Sequence, residues 1–205
     1  MTDTNSTFGN LRRQERESRR QIILDAAERV FGSKPFTQVT MREIAREAGI
    51  SAASIYRYFP DQQSLFIEAF LQGADDIIAT LDAITGTQGK NPTLEAAEAF
   101  IQYLADNGHY FRMMTHFMLD GSLDEEQAGR LNAAERTLLK HFDRLFEAGL
   151  PQKQVRLYSH AFFAALNGIL ITFWQYPGRS REELLDHMKE LGRIMAGLFQ
   201  GGTGG

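Results

Sequence analysis

The chain contains no cysteine, which removes disulfide frameworks and thiolate metal sites from consideration and fits a reducing compartment. Its first residues, MTDTNSTFGNLRRQ, lack the apolar core of a signal peptide. The most apolar run, Ala161 to Trp174, is shorter than the ~20 residues needed to cross a bilayer. No glycine-rich phosphate loop, nucleophile elbow, Cys/His pair or zinc-protease helix is present, so no catalytic residue and no enzyme activity are expected. The five histidines are scattered. His116 and Asp120 stand i, i+4 without a third obvious ligand, so neither a metal nor a cofactor is expected. No internal repeat and no strand pattern stands out. Positive charge is also short, with 22 Lys/Arg against 26 Asp/Glu and a net charge of −4. What remains is a chain of 205 residues with 43% hydrophobic and 23% charged content, ordinary globular values. It is expected to be a soluble cytoplasmic protein with no membrane partner.

The charge is unevenly spread. Between Asn10 and Pro60, ten Lys/Arg outweigh six Asp/Glu, a local net of +4; from Asp61 onward, twelve face nineteen, a net of −7. A basic end on an acidic body orients a molecule toward phosphate. Arg12 to Arg20, interleaved with Glu15 and Glu17, fits a plain solvated helix face equally well.

The stretch Thr40 to Phe59, TMREIAREAGISAASIYRYF, organises the rest. Thr40 with Glu43 forms a capping box, and Ile44, Ala45 and Ala48 give an apolar stripe at helical spacing. Gly49 supplies the left-handed residue that ends this helix. Ser51 caps a second helix in which Ile55 and Phe59 point the same way, until Pro60 stops it. Two short helices around a glycine corner make a helix-turn-helix, whose second helix enters a DNA major groove.

The order Ile44-Ala45, Ala48-Gly49-Ile50-Ser51, Ile55-Tyr56, Tyr58-Phe59 and Leu65 resembles the DNA-binding domain of the tetracycline-repressor (TetR) family over roughly residues 16–70. The resemblance implies an all-α protein of about nine helices. An N-terminal three-helix DNA-binding domain would cover residues 10–60, with its recognition helix at about 51–59. A C-terminal helical ligand-binding and dimerisation domain would cover 61–200, with the fourth helix, about 61–83, as connector.

Taken in order, residues 1–10 carry no periodic apolar pattern and are expected to be disordered. A first helix from around Arg12 or Arg16 to Phe31 would bury Ile22, Ile23, Ala26, Ala27, Val30 and Phe31. Gly73 is a place where the fourth helix can bend. Gly86 to Asn91 reads as a loop, Pro92 as a first helical turn, and His109 to Leu119 as a sixth helix. Ser122 with Glu125 suggests a capping box for a seventh helix ending at Gly149. Pro151 opens an eighth that is apolar nearly all round, and Ser180 with Glu183 caps a ninth. The GGTGG tail reads as flexible.

For DNA, the candidates are Thr40 and Arg42 at the first helix start, where free N–H groups can meet a phosphate, and Ser51, Ala52, Ala53, Ser54, Arg57 and Tyr58 on the second helix. The two alanines allow close approach to a thymine methyl, and Arg57 can bind guanine or a phosphate. Tyr56 and Tyr58 match the family's aromatic positions, implied to touch the sugar-phosphate backbone; core packing with a wet hydroxyl is the plainer role for Tyr56. Where the family usually has a lysine, this chain has Gln62, which can donate a hydrogen bond but releases no counterion. A glycine common in the motif is Ala53 here.

The resemblance further implies an effector pocket, with candidates Phe70, Tyr103, His109, Met113, Met114, Phe117, Met118, Phe163 and Trp174, and with Arg112 and His116 beside His109 at a polar end. Such stripes also pack as ordinary core. The last two helices would pair with their copies in a four-helix bundle, through Leu166, Leu170, Trp174, Leu184, Leu191 and Met195. The function so implied is a ligand-responsive transcriptional repressor. It would bind palindromic double-stranded operator DNA as a homodimer, associate with the nucleoid, and be released by a small apolar or amphipathic effector. The alternative is an effector-independent DNA-binding or architectural protein.

Overall fold

The computed structural model describes residues 4–85, 91–119 and 124–201. The expected loop at 86–90, Asp120, Ser122 and the tail from residue 202 lie outside the described residues. Among those described there are nine α-helices and no strand: α1 (Thr4–Ser33), α2 (Met41–Glu47), α3 (Ala52–Ile55), α4 (Gln62–Thr85), α5 (Pro92–Asp106), α6 (Gly108–Leu119), α7 (Glu125–Arg144), α8 (Gln152–Phe173) and α9 (Arg181–Gly201). The chain divides into two compact units, one of residues 1–72 with 109–127 and one of 73–108 with 128–205.

The first unit holds α1 to α3, the first half of α4, and α6. Its core joins Ile23, Leu24, Ala27 and Phe31 of α1 to Ile44 and Ala45 of α2, Ile55 of α3, Leu65 and Phe66 of α4, and Met113 of α6. Phe31, Phe36 and Phe66 pack ring against ring, Phe31 and Phe66 edge-on at 4.6 Å between centroids. Two expectations for α1 need correction. Ile22 is 51% exposed, and Leu24 takes its place in the core, so the buried stripe is rotated relative to the sequence pattern. The helix also begins at Thr4 instead of near Arg12, so residues 4–10 are helical, not disordered. Once the buried turns from Ile23 to Phe31 nucleate it, each added residue costs only propagation, and no proline between Thr4 and Arg20 interrupts it. The i, i+4 pair of Arg19 with Glu15, at 2.6 Å, adds a little.

One contact ties α6 to α1. A Cβ added at Gly32 would lie 2.0 Å from Cβ and 2.4 Å from Cα of His109, so only a glycine lets the two backbones come this close. One turn earlier on α1, Glu28 Oε1 meets His109 Nε2 at 2.7 Å. The sixth helix is thereby fixed to the end of the first.

The second unit packs α5 along α9 and α9 along α8. Gly192 of α9 makes the first contact tight: a Cβ there would stand 2.7 Å from Ile101 Cδ1. Phe100, Phe142, Phe146, Phe162 and Phe163 interlock edge to face through its core. α5 is capped by Asn91, whose Oδ1 accepts from Leu94 N–H, with Pro92 at its first position. α9 carries the expected box, Glu183 N–H to Ser180 Oγ and Ser180 N–H to Glu183 Oε2. α7 opens on a different one: Asp124 Oδ1 accepts from Gln127 N–H at 2.8 Å, and Gln127 Oε1 accepts from Asp124 N–H. It ends at Arg144, after which turns lead on to Leu150.

Candidate nucleic-acid interface

The entrance of α2 is held by three side chains. Thr40 Oγ1 accepts from Glu43 N–H at 3.3 Å and donates to Glu43 Oε2 at 3.0 Å, while Thr40 N–H donates to the same carboxylate oxygen. The other oxygen, Oε1, takes a 2.6 Å bond from Lys34 Nζ. The Lys34 ammonium, followed by the Thr40 hydroxyl, holds the Glu43 carboxyl below its usual range. The capping box thus uses the N–H groups of Thr40 and Glu43, and the exposed Arg42 stands beside a carboxylate held in place by these bonds.

The corner that follows has a left-handed Gly49, φ +69°, from which the chain doubles back. Gly49 N–H bonds Arg46 O and Ile50 N–H bonds Ala45 O, which closes the end of α2 as a Schellman motif. Ile50 packs on the core beneath. Ser51 then caps α3 through Ser54 N–H at 3.1 Å. The regular part of α3 stops at Ile55, shorter than the expected 51–59; the chain tightens through Arg57 N–H to Ser54 O before Phe59 N–H returns to Ile55 O. Ile55 and Phe59 are buried and anchor this segment from below.

Above them, Ser51, Ala53, Tyr56 and Arg57 are exposed, and Ala52 and Ser54 are half-buried at the edge. Tyr56 is 54% exposed, so its ring is not core. Tyr58 is half-buried against the core, so its body is structural. Gln62 points inward: its Nε2 donates to Phe36 O at 2.9 Å, tying the start of α4 to the turn before α2. That bond engages a donor that sequence reasoning offers to a phosphate. Sequence reasoning also missed Lys34 and Glu43 as a pair, because the eight residues between them hide a contact made only once the Phe36–Gln38 turn folds back.

The candidate pocket residues divide between the two units. Phe70, His109, Met113, Met114 and Phe117 belong to the first, Tyr103, Phe163 and Trp174 to the second. Met113 is part of the first unit's core, Phe117 packs on Phe66 and Phe70, and His109 is engaged by Glu28. In the second unit, Tyr103 OH donates to Gly73 O at 3.1 Å, Phe163 packs between Phe100 and Phe142, and Trp174 lies against Gly108. Asn167, buried in α8, donates Nδ2 to Phe163 O, while its Oδ1 meets no donor among the described residues.

Of the expected dimer residues, Leu166, Leu170 and Leu184 are buried within their own unit, and Trp174, Leu191 and Met195 are half-buried. Exposed on α8 are Leu157, Ala161, Ala164, Gly168 and Ile171, in steps of three and four, and on α9 Ile194 and Leu198.

Residues 23–69 match the family model described as bacterial regulatory proteins, tetR family. An uncharacterised HTH-type transcriptional regulator of Haemophilus influenzae is 30% identical over 145 residues, 68% of this chain and 67% of that one. The nucleoid occlusion factor SlmA of Idiomarina loihiensis is 26% identical over 147 residues, 70% of this chain and 71% of that one. Two solved structures share the fold. The fatty acid degradation regulator FadR of Bacillus halodurans gives a TM-score of 0.72 at 19% identity, over 87% of this chain and 95% of that chain. The regulator FadR of Bacillus subtilis, solved with stearoyl-CoA, gives 0.71 at 18%, over 86% and 97%.

Proposed function

This chain belongs to the tetR family of bacterial regulatory proteins, DNA-binding regulators of transcription, and on that premise we propose that it is a repressor that binds a palindromic operator as a homodimer and is released by a small effector. The observation that carries this is the exposed surface of α3 beside the capped start of α2, with Arg42, Arg57 and Tyr56 all exposed. α3 enters the major groove, with Ala52 and Ala53 close to base edges and Arg57 on a guanine or a flanking phosphate. Thr40 and the N–H groups of α2 meet the backbone, with Arg42 beside them. No catalytic role is assigned, and the protein acts in the cytoplasm on the nucleoid.

Dimerisation brings together the open faces of α8 and α9, where Ala161, Ala164 and Gly168 allow two helix backbones to approach closely. Two heads then read half-sites about 34–36 Å apart, or a multiple of that. The effector is amphipathic. Its apolar part suits the phenylalanine-rich interior of the second unit, and a donor on its polar part satisfies Asn167 Oδ1. Long-chain acyl thioesters are the first class to screen, since the Bacillus subtilis FadR was solved with one. Release requires the ligand to favour a different spacing of the two heads, with α4 as the continuous element that carries the change.

The test is selection of bound duplexes from a random pool, followed by release assays with candidate ligands. A two-fold symmetric consensus is expected. Arg57→Ala should cost about 1–3 kcal/mol on that consensus and, if it reads a base, relax one position; Arg42→Ala should weaken all sequences alike. Absence of any preferred duplex at low salt refutes the proposal.

A further inference from the structure

The family match begins at residue 23, yet α1 begins nineteen residues earlier, at Thr4. Every described side chain from Phe8 to Arg19 is exposed, so this arm adds nothing to the core. It carries Arg12, Arg13, Arg16, Arg19 and Arg20. At 100° per residue these five fall within about 120° of the helix circumference. They lie on the same side as Ile23, Ala27 and Phe31, so the stripe that is buried near the end of α1 continues outward as an arginine stripe. Glu15 and Glu17 engage Arg19 and Arg20. Arg12, Arg13 and Arg16 have no ion pair among the described residues.

The stripe is anchored at the reading head. The Arg20 guanidinium lies 5.3 Å over the ring of Phe59, which closes the recognition segment, and bonds Glu68 Oε2 of α4 at 2.6 Å. With a rise of 1.5 Å per residue, Arg12 stands about 12 Å further along the helix. Three guanidiniums on one face, without an ion pair among the described residues and rooted beside the recognition segment, present a row of cations to whatever flanks the half-site. On a duplex, that is the sugar-phosphate backbone.

The geometry points to a second DNA-contacting element: the N-terminal arm of α1 lays Arg12, Arg13 and Arg16 on duplex phosphates outside the sequence read by α3. This rests on the DNA-binding function proposed above and extends the footprint beyond the helix-turn-helix. The contacts carry no sequence information, so their mark is affinity and salt dependence without a change in consensus.

The full-length protein is compared with the triple variant Arg12→Ala/Arg13→Ala/Arg16→Ala and its lysine counterpart, on the selected operator, from about 50 to 400 mM KCl. The alanine variant should lose affinity roughly 10- to 100-fold at the low-salt end. Its plot of log affinity against log salt should be shallower by about two to five, counting both protomers of a dimer. Hydroxyl-radical footprints should lose their outermost protections while the selected sequence stays the same. Lysine should restore most of the slope. An unchanged slope and footprint overturn the arm's role, as does arm-dependent binding to phosphatidylglycerol vesicles without any effect on DNA. If the wild type binds no duplex at all, the function proposed above fails and the arm inference with it. If only the variant comparison is flat, the arm inference fails alone.

Discussion

Glycine at position 32 does something no other residue can do there. Its missing side chain is where the backbone of His109 passes, and alanine would push the end of α1 off α6. Gly32→Ala should therefore cost about 1–3 kcal/mol, as overpacking does, read as a lower denaturant midpoint. Gly9→Ala is the matched control. Nothing lies within 4 Å of a Cβ there, and the exposed helix gains up to about 1 kcal/mol of local propensity. Equal effects at both positions would show that the α1–α6 contact is not close. Gly49 was legible from sequence because a left-handed corner between two apolar stripes leaves a pattern in the residues around it. Gly32 was read only as a helix stop, since its reason lies 77 positions away in a partner that local pattern does not reveal.

Among the elements, the starts of helices were the most readable parts. Thr40/Glu43 and Ser180/Glu183 fold as their spacing indicates, because each box is closed within one turn. α7 shows the limit: Ser122/Glu125 and Asp124/Gln127 are competing boxes in overlapping frames, and the described residues start the helix from the second. α8 shows another. It is apolar nearly all round, so periodicity alone does not say which side faces its own core, and there the bulky Leu166 and Leu170 are buried. The small residues Ala161, Ala164 and Gly168 were the available signal. Gly168→Glu should accordingly give monomers that still fold, detected by light scattering. Leu170→Asp should instead lose about 3–5 kcal/mol and unfold at ambient temperature or aggregate. A folded, dimeric Gly168→Glu variant would move the interface elsewhere.

For the molecule as a whole, one buried histidine sets a pH response. Burial pushes the His141 imidazole below its ordinary value near 6.5; the Arg144 charge adds to this, while Asp82 at 3.5 Å opposes it. The folded state thus prefers neutral His141. Its contribution is complete above the unfolded value and is lost as pH falls through 6.5 toward the lower folded one. Glu43 and Glu183 are shifted the other way relative to charge and lose their contributions only below about 4.5, a separate window. Between pH 7.5 and 5.5 the melting temperature should fall less in His141→Gln than in the wild type; parallel curves would assign the response to another group. The fold class and the helix-turn-helix were visible in the sequence because both are written in local periods and caps. The makeup of each unit was not, since it depends on which distant helix fills which gap. That has a practical side. α6 supplies Met113 to the core of the reading head, rings to Phe36, Phe66 and Phe70, and a partner to Glu28, although 36 residues of the other unit interrupt the chain before it. A chimera that grafts residues 1–72 onto a foreign sensor would leave this wall open, so specificity in this regulator is not a cassette to be cut out at the end of a linear segment.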